Sequence, residues 1–230
     1  MQPNLQTATF QTSEVALSQH RVLRNTYALL AISMIPTVIG AFIGTNVIDF
    51  SFMARSPIIA SLGFLAVVYG LFFAIEKNKN SSVGVWLLLA LTLILGVMLG
   101  PILQVALKVS GATIIAMAFG GTALTFFAMA AIATVSKRDF GFLTNFLMVG
   151  GIVLMIAVLA NIFLHLPAMA LAISAGFILF SSVAILFTVN RIIRGGETNY
   201  ISATLTLYMS IYNIFVSLLN ILMSLTGQRE

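Results

Sequence analysis

Ser202-Ala-Thr-Leu-Thr-Leu-Tyr-Met-Ser-Ile-Tyr-Asn-Ile-Phe-Val-Ser-Leu-Leu-Asn-Ile-Leu-Met-Ser224 is an apolar span whose polar residues keep one long register. Thr206, Ser210, Asn213, Ser217, Asn220 and Ser224 follow one another at intervals of 4, 3, 4, 3 and 4 residues, and Ser202 extends the series. On a helix this spacing lays them along one lengthwise stripe, with Leu, Ile, Phe, Met and Val on the other faces. In lipid, hydroxyls and side-chain amides seek partners on neighbouring helices. The span is therefore expected to be the centre of a helical membrane bundle, with its stripe against other helices.

Composition sets the class. Hydrophobic residues make up 60% of the 230 and charged residues 7%, whereas soluble domains carry about 25% charged residues. The apolar material falls into about seven spans, each long enough for a hydrocarbon core of roughly 30 Å at about 1.5 Å per residue. The expected fold is all-α: a polytopic membrane protein of seven transmembrane helices with a central last helix. Cysteine is absent, which excludes disulfides and thiolate chemistry. The excess of five positive charges is scattered in pairs between apolar spans. It is read as a topology signal toward the lipid bilayer, and no nucleic-acid partner is expected.

The chain divides into residues 1–26, a polar stretch expected to be a flexible cytoplasmic tail, and residues 27–226, the seven-helix bundle. His20, Arg21 and Arg24 lie in the tail just ahead of the membrane. The first span, Tyr27 to Gly44, is placed too far in for a signal peptide. Pro57 opens the second, which ends near Ile75 before the wet turn Glu76-Lys-Asn-Lys-Asn80. The third runs from about Val83 to Gly100 and closes on Gly96-Val-Met-Leu-Gly100-Pro101. Its glycines permit close helix approach, and Pro101 should stop or kink the helix. The fourth, about Ala112 to Val135, and the fifth, about Phe140 to Leu164, carry the central pairs Gly120-Gly121 and Gly150-Gly151, read as packing surfaces. His165-Leu-Pro167 is so short a turn that spans five and six must be antiparallel neighbours. The sixth, about Ala168 to Val189, runs into the polar connection Asn190 to Tyr200.

Alternating the spans across the membrane puts Arg21, Arg24, Lys77, Lys79, Lys137, Arg138, Arg191 and Arg194 on one side, and Arg55, Lys108 and Arg229 on the other. Eight basic residues against three place the amino terminus in the cytoplasm and, with seven spans, the carboxyl terminus outside. Chemistry-bearing residues are sparse. There are two histidines, six acids, none of them at the middle of a span, and no His-Glu-x-x-His motif. No catalytic residue, metal site or cofactor is expected. His165 reads as an interfacial histidine, because nothing places a nucleophile within its hydrogen-bond reach. The stripe on the last span reads as interhelical glue, since a cation path would normally add an intramembrane carboxylate.

Gly96-Val-Met-Leu-Gly100-Pro101, Phe119-Gly-Gly-Thr-Ala123, Leu186-Phe-Thr-Val-Asn-Arg-Ile-Ile193 and Leu207-Tyr-Met-Ser-Ile-Tyr-Asn-Ile-Phe215 together resemble the Bax inhibitor (transmembrane Bax inhibitor motif) family. His20-Arg-Val-Leu-Arg-Asn-Thr-Tyr27, Gly195-Gly-Glu-Thr-Asn-Tyr200 and Tyr212-Asn-Ile-Phe-Val-Ser-Leu-Leu219 are similar to its bacterial YccA-like branch. The resemblance implies a seven-helix protein of a bacterial inner (cytoplasmic) membrane, so that the carboxyl terminus, outside by the charge count, would be periplasmic. For this branch it also implies a non-enzymatic modulator that binds and restrains the membrane-anchored ATP-dependent protease FtsH. Other members of the family are pH-sensitive calcium leaks gated by two aspartates on the last two helices. Those aspartates correspond to Thr188 and Ser210 here, neither acidic, and the arginine that pairs with them on the second helix has no counterpart between Pro57 and Ile75. A calcium or cation leak is thus the alternative expectation.

Overall fold

The computed structural model describes the backbone of residues 4–48, 50, 51 and 55–227, and side chains within residues 18–226 of that set. Its main helices are α1 Asn4–Asn46, α2 Pro57–Lys77, α3 Ser82–Met98, α4 Gly100–Ser110, α5 Ala112–Val135, α6 Leu143–Leu164, α7 Pro167–Ile193 and α8 Tyr200–Gly227. No strand occurs among the described residues. α3 and α4 form one broken span, so seven helical segments are long and apolar enough to cross a membrane.

Each boundary has a local cause. Pro57 and Pro167 occupy the first turns of α2 and α7, where a missing N–H costs nothing. At the α3–α4 break Pro101 has no N–H to return to the preceding turn, and the Leu99 N–H is shared between the carbonyls of Leu95 at 3.2 Å and Gly96 at 3.0 Å. His165 closes α6 in the left-handed conformation, φ 51°, and two residues later α7 begins. The two helices pack together as antiparallel neighbours, as the short turn requires. α6 begins at Leu143 rather than Phe140, because Asp139 Oδ1 accepts the Gly141 N–H at 2.8 Å and holds that stretch as a turn. Asn199 caps α8, its Oδ1 accepting the N–H groups of Ile201 at 2.9 Å and Ser202 at 3.1 Å.

The packed bundle starts earlier than Tyr27. Thr26 is fully buried, its carbonyl accepts the Thr204 hydroxyl at 3.2 Å, and Leu23 packs on the main core. Residues 18–26 therefore continue α1 into the bundle, which moves the boundary drawn after residue 26. Over residues 4–17, where a flexible tail is expected, the described backbone is helical and belongs to α1; their side chains, and residues 1–3, lie outside the described residues.

The closest helix pair is α1 on α3 and α4, and glycine makes it. A Cβ built on Gly40 would lie 2.3 Å from the Leu93 carbonyl oxygen, one on Gly44 2.1 Å from that of Val97, and one on Gly96 2.3 Å from that of Thr37. Gly40 and Gly44, like Gly96 and Gly100, are four residues apart, so each helix presents a bare groove to the other. The adjacent glycine pairs behave otherwise. Nothing lies within 4 Å of a Cβ on Gly120, while Gly150 and Gly151 meet only the Phe180 ring at 3.4 and 3.5 Å. Gly121 is the close one of the four, its Cβ position 3.0 Å from a Leu218 methyl of α8, and none of the four meets another helix's backbone as Gly40, Gly44 and Gly96 do.

α8 is central. It touches every other helix except α6, and packs most heavily on α7 and then α5 and α1. Leu29, Leu88, Leu91, Leu95, Tyr208 and Ile214 are buried in one core cluster. The basic connections share one end of the bundle. Asn199 Nδ2 donates to the Lys79 carbonyl at 2.9 Å, Arg194 to the Lys137 carbonyl, and Asn190 Nδ2 to the Arg138 carbonyl at 3.3 Å.

Candidate functional site

α8 has two polar faces, and they do different things. Thr204, Tyr208 and Tyr212, spaced four apart, point into the bundle. The Tyr208 and Thr37 hydroxyls lie 2.8 Å apart, Tyr208 also donates to the Thr92 carbonyl at 3.4 Å, and Tyr212 donates to the Leu95 carbonyl at 3.3 Å. The two rings stack with centroids 6.4 Å apart. This face ties α8 to α1 and α3 with the interhelical hydrogen bonds expected of glue. Sequence reading missed it by counting that side as purely apolar, although Thr and Tyr at i, i+4 and i+8 were visible.

The stripe of Thr206, Ser210, Asn213, Ser217 and Asn220 lies on the opposite side. The Ser210 hydroxyl returns to the Thr206 carbonyl at 2.8 Å and that of Thr206 to the Ser202 carbonyl at 3.1 Å, so both are satisfied within their own helix. The amides of Asn213 and Asn220 have no hydrogen-bond partner among the described residues. These side chains line two cavities instead. One, about 260 Å³, is bounded by Phe180, Thr188 and Phe187 of α7, Leu147 of α6, and Thr206, Ser210 and Asn213. The other, about 300 Å³, lies toward the opposite end between Asn161 of α6, Ser174 and Phe177 of α7, and Asn213, Ser217 and Asn220. Asn213 borders both. Ser181, on α7 between Phe177 and Ala184, is 1% exposed, and its hydroxyl has no hydrogen-bond partner among the described residues.

Thr188 and Ser210 are thus brought together in one cavity. Both are nearly buried, at 6% and 4% exposure, and both are neutral. The cavity mouth carries Arg191 and Glu197, whose Nη2 and Oε2 stand 3.8 Å apart, with the guanidinium 5.5 Å from the Phe187 ring centroid. Glu197 is the one carboxylate lining either cavity among the described residues. His20, Arg21 and Arg24 lie exposed on α1, away from the seam. His165 is exposed at the end of α6 with Nδ1 3.2 Å from the Phe163 carbonyl oxygen. What the seam offers is hydroxyls and amides on an otherwise aromatic and aliphatic wall: groups that order water or meet a polar side chain, with no acid–base pair.

The two faces predict opposite responses. Tyr208→Phe removes a buried interhelical hydrogen bond and should cost about 1 kcal/mol. Asn213→Leu removes an unpartnered amide, and should leave stability unchanged or raise it. Thermal unfolding of the detergent-purified protein, followed by gel filtration, checks both.

The family model described as "Inhibitor of apoptosis-promoting Bax1" matches residues 19–227. An uncharacterised protein of Neisseria meningitidis serogroup A is 48% identical over 92% of this chain and 94% of its own. A protein of Escherichia coli K12 named modulator of FtsH protease YccA is 49% identical over 90% of this chain and 91% of its own. A relative from E. coli O6:H1, at the same identity and coverage, is named inner membrane protein YccA. Seven membrane spans around a central last helix, together with this likeness over nearly the whole chain, make the protein a polytopic membrane member of the Bax inhibitor family.

Proposed function

We propose that this chain is a non-enzymatic modulator of a membrane-anchored ATP-dependent protease of the FtsH type, seated in a bacterial inner membrane. The observation that carries the reading is the 49% identity, over nine-tenths of both chains, to the E. coli protein whose name states that role. The architecture suits it. α8 is fixed to the rest of the bundle by glycine-packed and hydrogen-bonded neighbours, so a protease pulling on one end meets a cooperative unit. The basic loops at one end face the cytoplasm by the positive-inside rule, which puts the amino terminus inside and the carboxyl terminus in the periplasm. Residues 1–17, ahead of the packed part of α1, are the handle that the ATPase grips. The calcium-leak alternative is not favoured: the positions that carry its aspartates hold Thr188 and Ser210.

Co-purification tests the partnership. Affinity capture of the tagged protein from detergent-solubilised membranes should retain the FtsH-type protease, and its absence under conditions that keep the bundle folded refutes the assignment. The handle is tested separately. Deleting residues 1–17 leaves every span intact, so the protein should still insert and capture the protease, yet persist several times longer in growing cells. Equal lifetimes for the truncated and full-length chains would show that the protease grips elsewhere.

A further inference from the structure

The two cavities beside α8 follow one another along the bundle. The first draws on residues 180–191 of α7 and 203–213 of α8, the second on 170–177 of α7 and 213–220 of α8. The first has its mouth at Arg191 and Glu197, by the connection between α7 and α8. The second reaches Ala170, exposed in the first turn of α7 at the opposite end of that helix. α6 supplies Leu147 to one and Asn161 to the other, yet it has no buried residue and does not touch α8, which leaves the space between them unfilled.

Only a short septum divides the cavities. On α7 Phe180 lines the first and Phe177 the second, while Asn213 of α8 borders both. The Phe180 ring lies on α6 at Gly150 and Gly151, where a built Cβ would stand 3.4 and 3.5 Å from it. The glycine pair thus keeps α6 side chains at these positions off the ring.

Polar groups this deep in a bilayer require partners. The Asn213 carboxamide can both donate and accept, and it has no partner among the described residues. Ser181, buried and likewise unpartnered, recurs at seven-residue intervals with Ser174 of the second cavity and Thr188 of the first, on one face of α7. The Thr206 and Ser210 hydroxyls are bonded within their own helix, and Glu197 faces Arg191 at 3.8 Å. The walls therefore offer no unpaired charge to replace the hydration of an ion. They do offer donors and acceptors that a neutral molecule can exchange for water. Each cavity, at about 260 and 300 Å³, far exceeds the roughly 10–15 Å³ that one water needs.

We infer that the seam between α6, α7 and α8 is a gated path for a small neutral hydrogen-bonding solute of the size of urea, with Asn213, Phe177 and Phe180 as the gate. The path does not rest on the protease reading, and its lack of charge keeps calcium out.

The test is urea entry into proteoliposomes of the full-length protein, followed by stopped-flow light scattering. Wild-type vesicles should take up urea several times faster than protein-free ones and stay tight to potassium. Asn213→Leu, expected to fold as well as the wild type, removes the amide common to both cavities. It should slow the protein-dependent entry by about fivefold, the factor for one hydrogen bond lost at the barrier. Phe180→Ala shortens the gate and should speed entry, with its fold checked by thermal unfolding. Tyr208→Phe, on the other polar face of α8, should leave entry unchanged. Wild-type entry no faster than in protein-free vesicles, or entry through Asn213→Leu equal to that of the wild type, would overturn the path. Potassium entering alongside urea would overturn its neutral selectivity.

Discussion

Gly96→Val should prevent the bundle from folding, with loss of the monodisperse protein in detergent. The Cβ of any larger residue at position 96 would stand 2.3 Å from the Thr37 carbonyl oxygen and 2.9 Å from its carbonyl carbon. Both are backbone atoms of a long helix and cannot rotate away. The only relief is separation of α1 from α3, the most extensive helix pairing in the molecule. That separation also breaks the Thr37–Tyr208 hydrogen bond and so loosens α8. Overpacking of a core costs about 1–3 kcal/mol when side chains can shift; here the obstruction is backbone, and the expected loss lies at or above the top of that range. Gly120→Ala is the matched control. Nothing stands within 4 Å of its Cβ, so it should be neutral or raise stability by roughly 0.5–1 kcal/mol through the helix preference of alanine. Thermal unfolding of the two variants side by side separates steric packing from any general intolerance of glycine replacement.

The second large effect is a gain of function. Thr188→Asp combined with Ser210→Asp should confer calcium uptake on liposomes that carry the protein. Both residues line the same cavity, from facing helices, with the mouth at Arg191 and Glu197. Two carboxylates there supply hard oxygen ligands and repel each other when both are ionised, so a divalent cation is the natural counterion. The unmodified cavity offers hydroxyls already bonded to their own helix, at Ser210 and Thr206, and the unpartnered Asn213 amide. Calcium-dye fluorescence should therefore stay flat for the wild type between about pH 6 and 8, where unperturbed hydroxyls and amides do not titrate. Robust wild-type flux that survives His165→Gln would contradict this and favour the leak.

Much of the architecture was legible because lipid imposes simple rules. Apolar length marks the spans, lysine and arginine mark alternate ends, and the two-residue connection at His165 and Leu166 forces its helices together. Gly96 and Gly100 were readable as a close approach, yet their partners Gly40 and Gly44 were not, because a bare groove does not say which helix fills it. The stripe on α8 was legible as a face but not in its purpose. Periodicity fixes which residues align; it does not fix what they face, and hydroxyls that return to the carbonyl four residues back need no neighbour. The glue came from Tyr208 and Tyr212, whose rings count as apolar while their hydroxyls reach across to α1 and α3. The asparagines at 190 and 199 tie distant loops together, a role set by tertiary placement alone.

The most direct measurement of the proposed role is the degradation rate of a labelled membrane substrate by a purified FtsH-type protease in proteoliposomes, as this protein is titrated in. The account predicts a saturable fall in rate, kept when residues 1–17 are deleted and the chain itself is no longer consumed. An unchanged rate, or a fall that disappears with the deletion, would contradict it: the chain would then be a competing substrate and not a modulator.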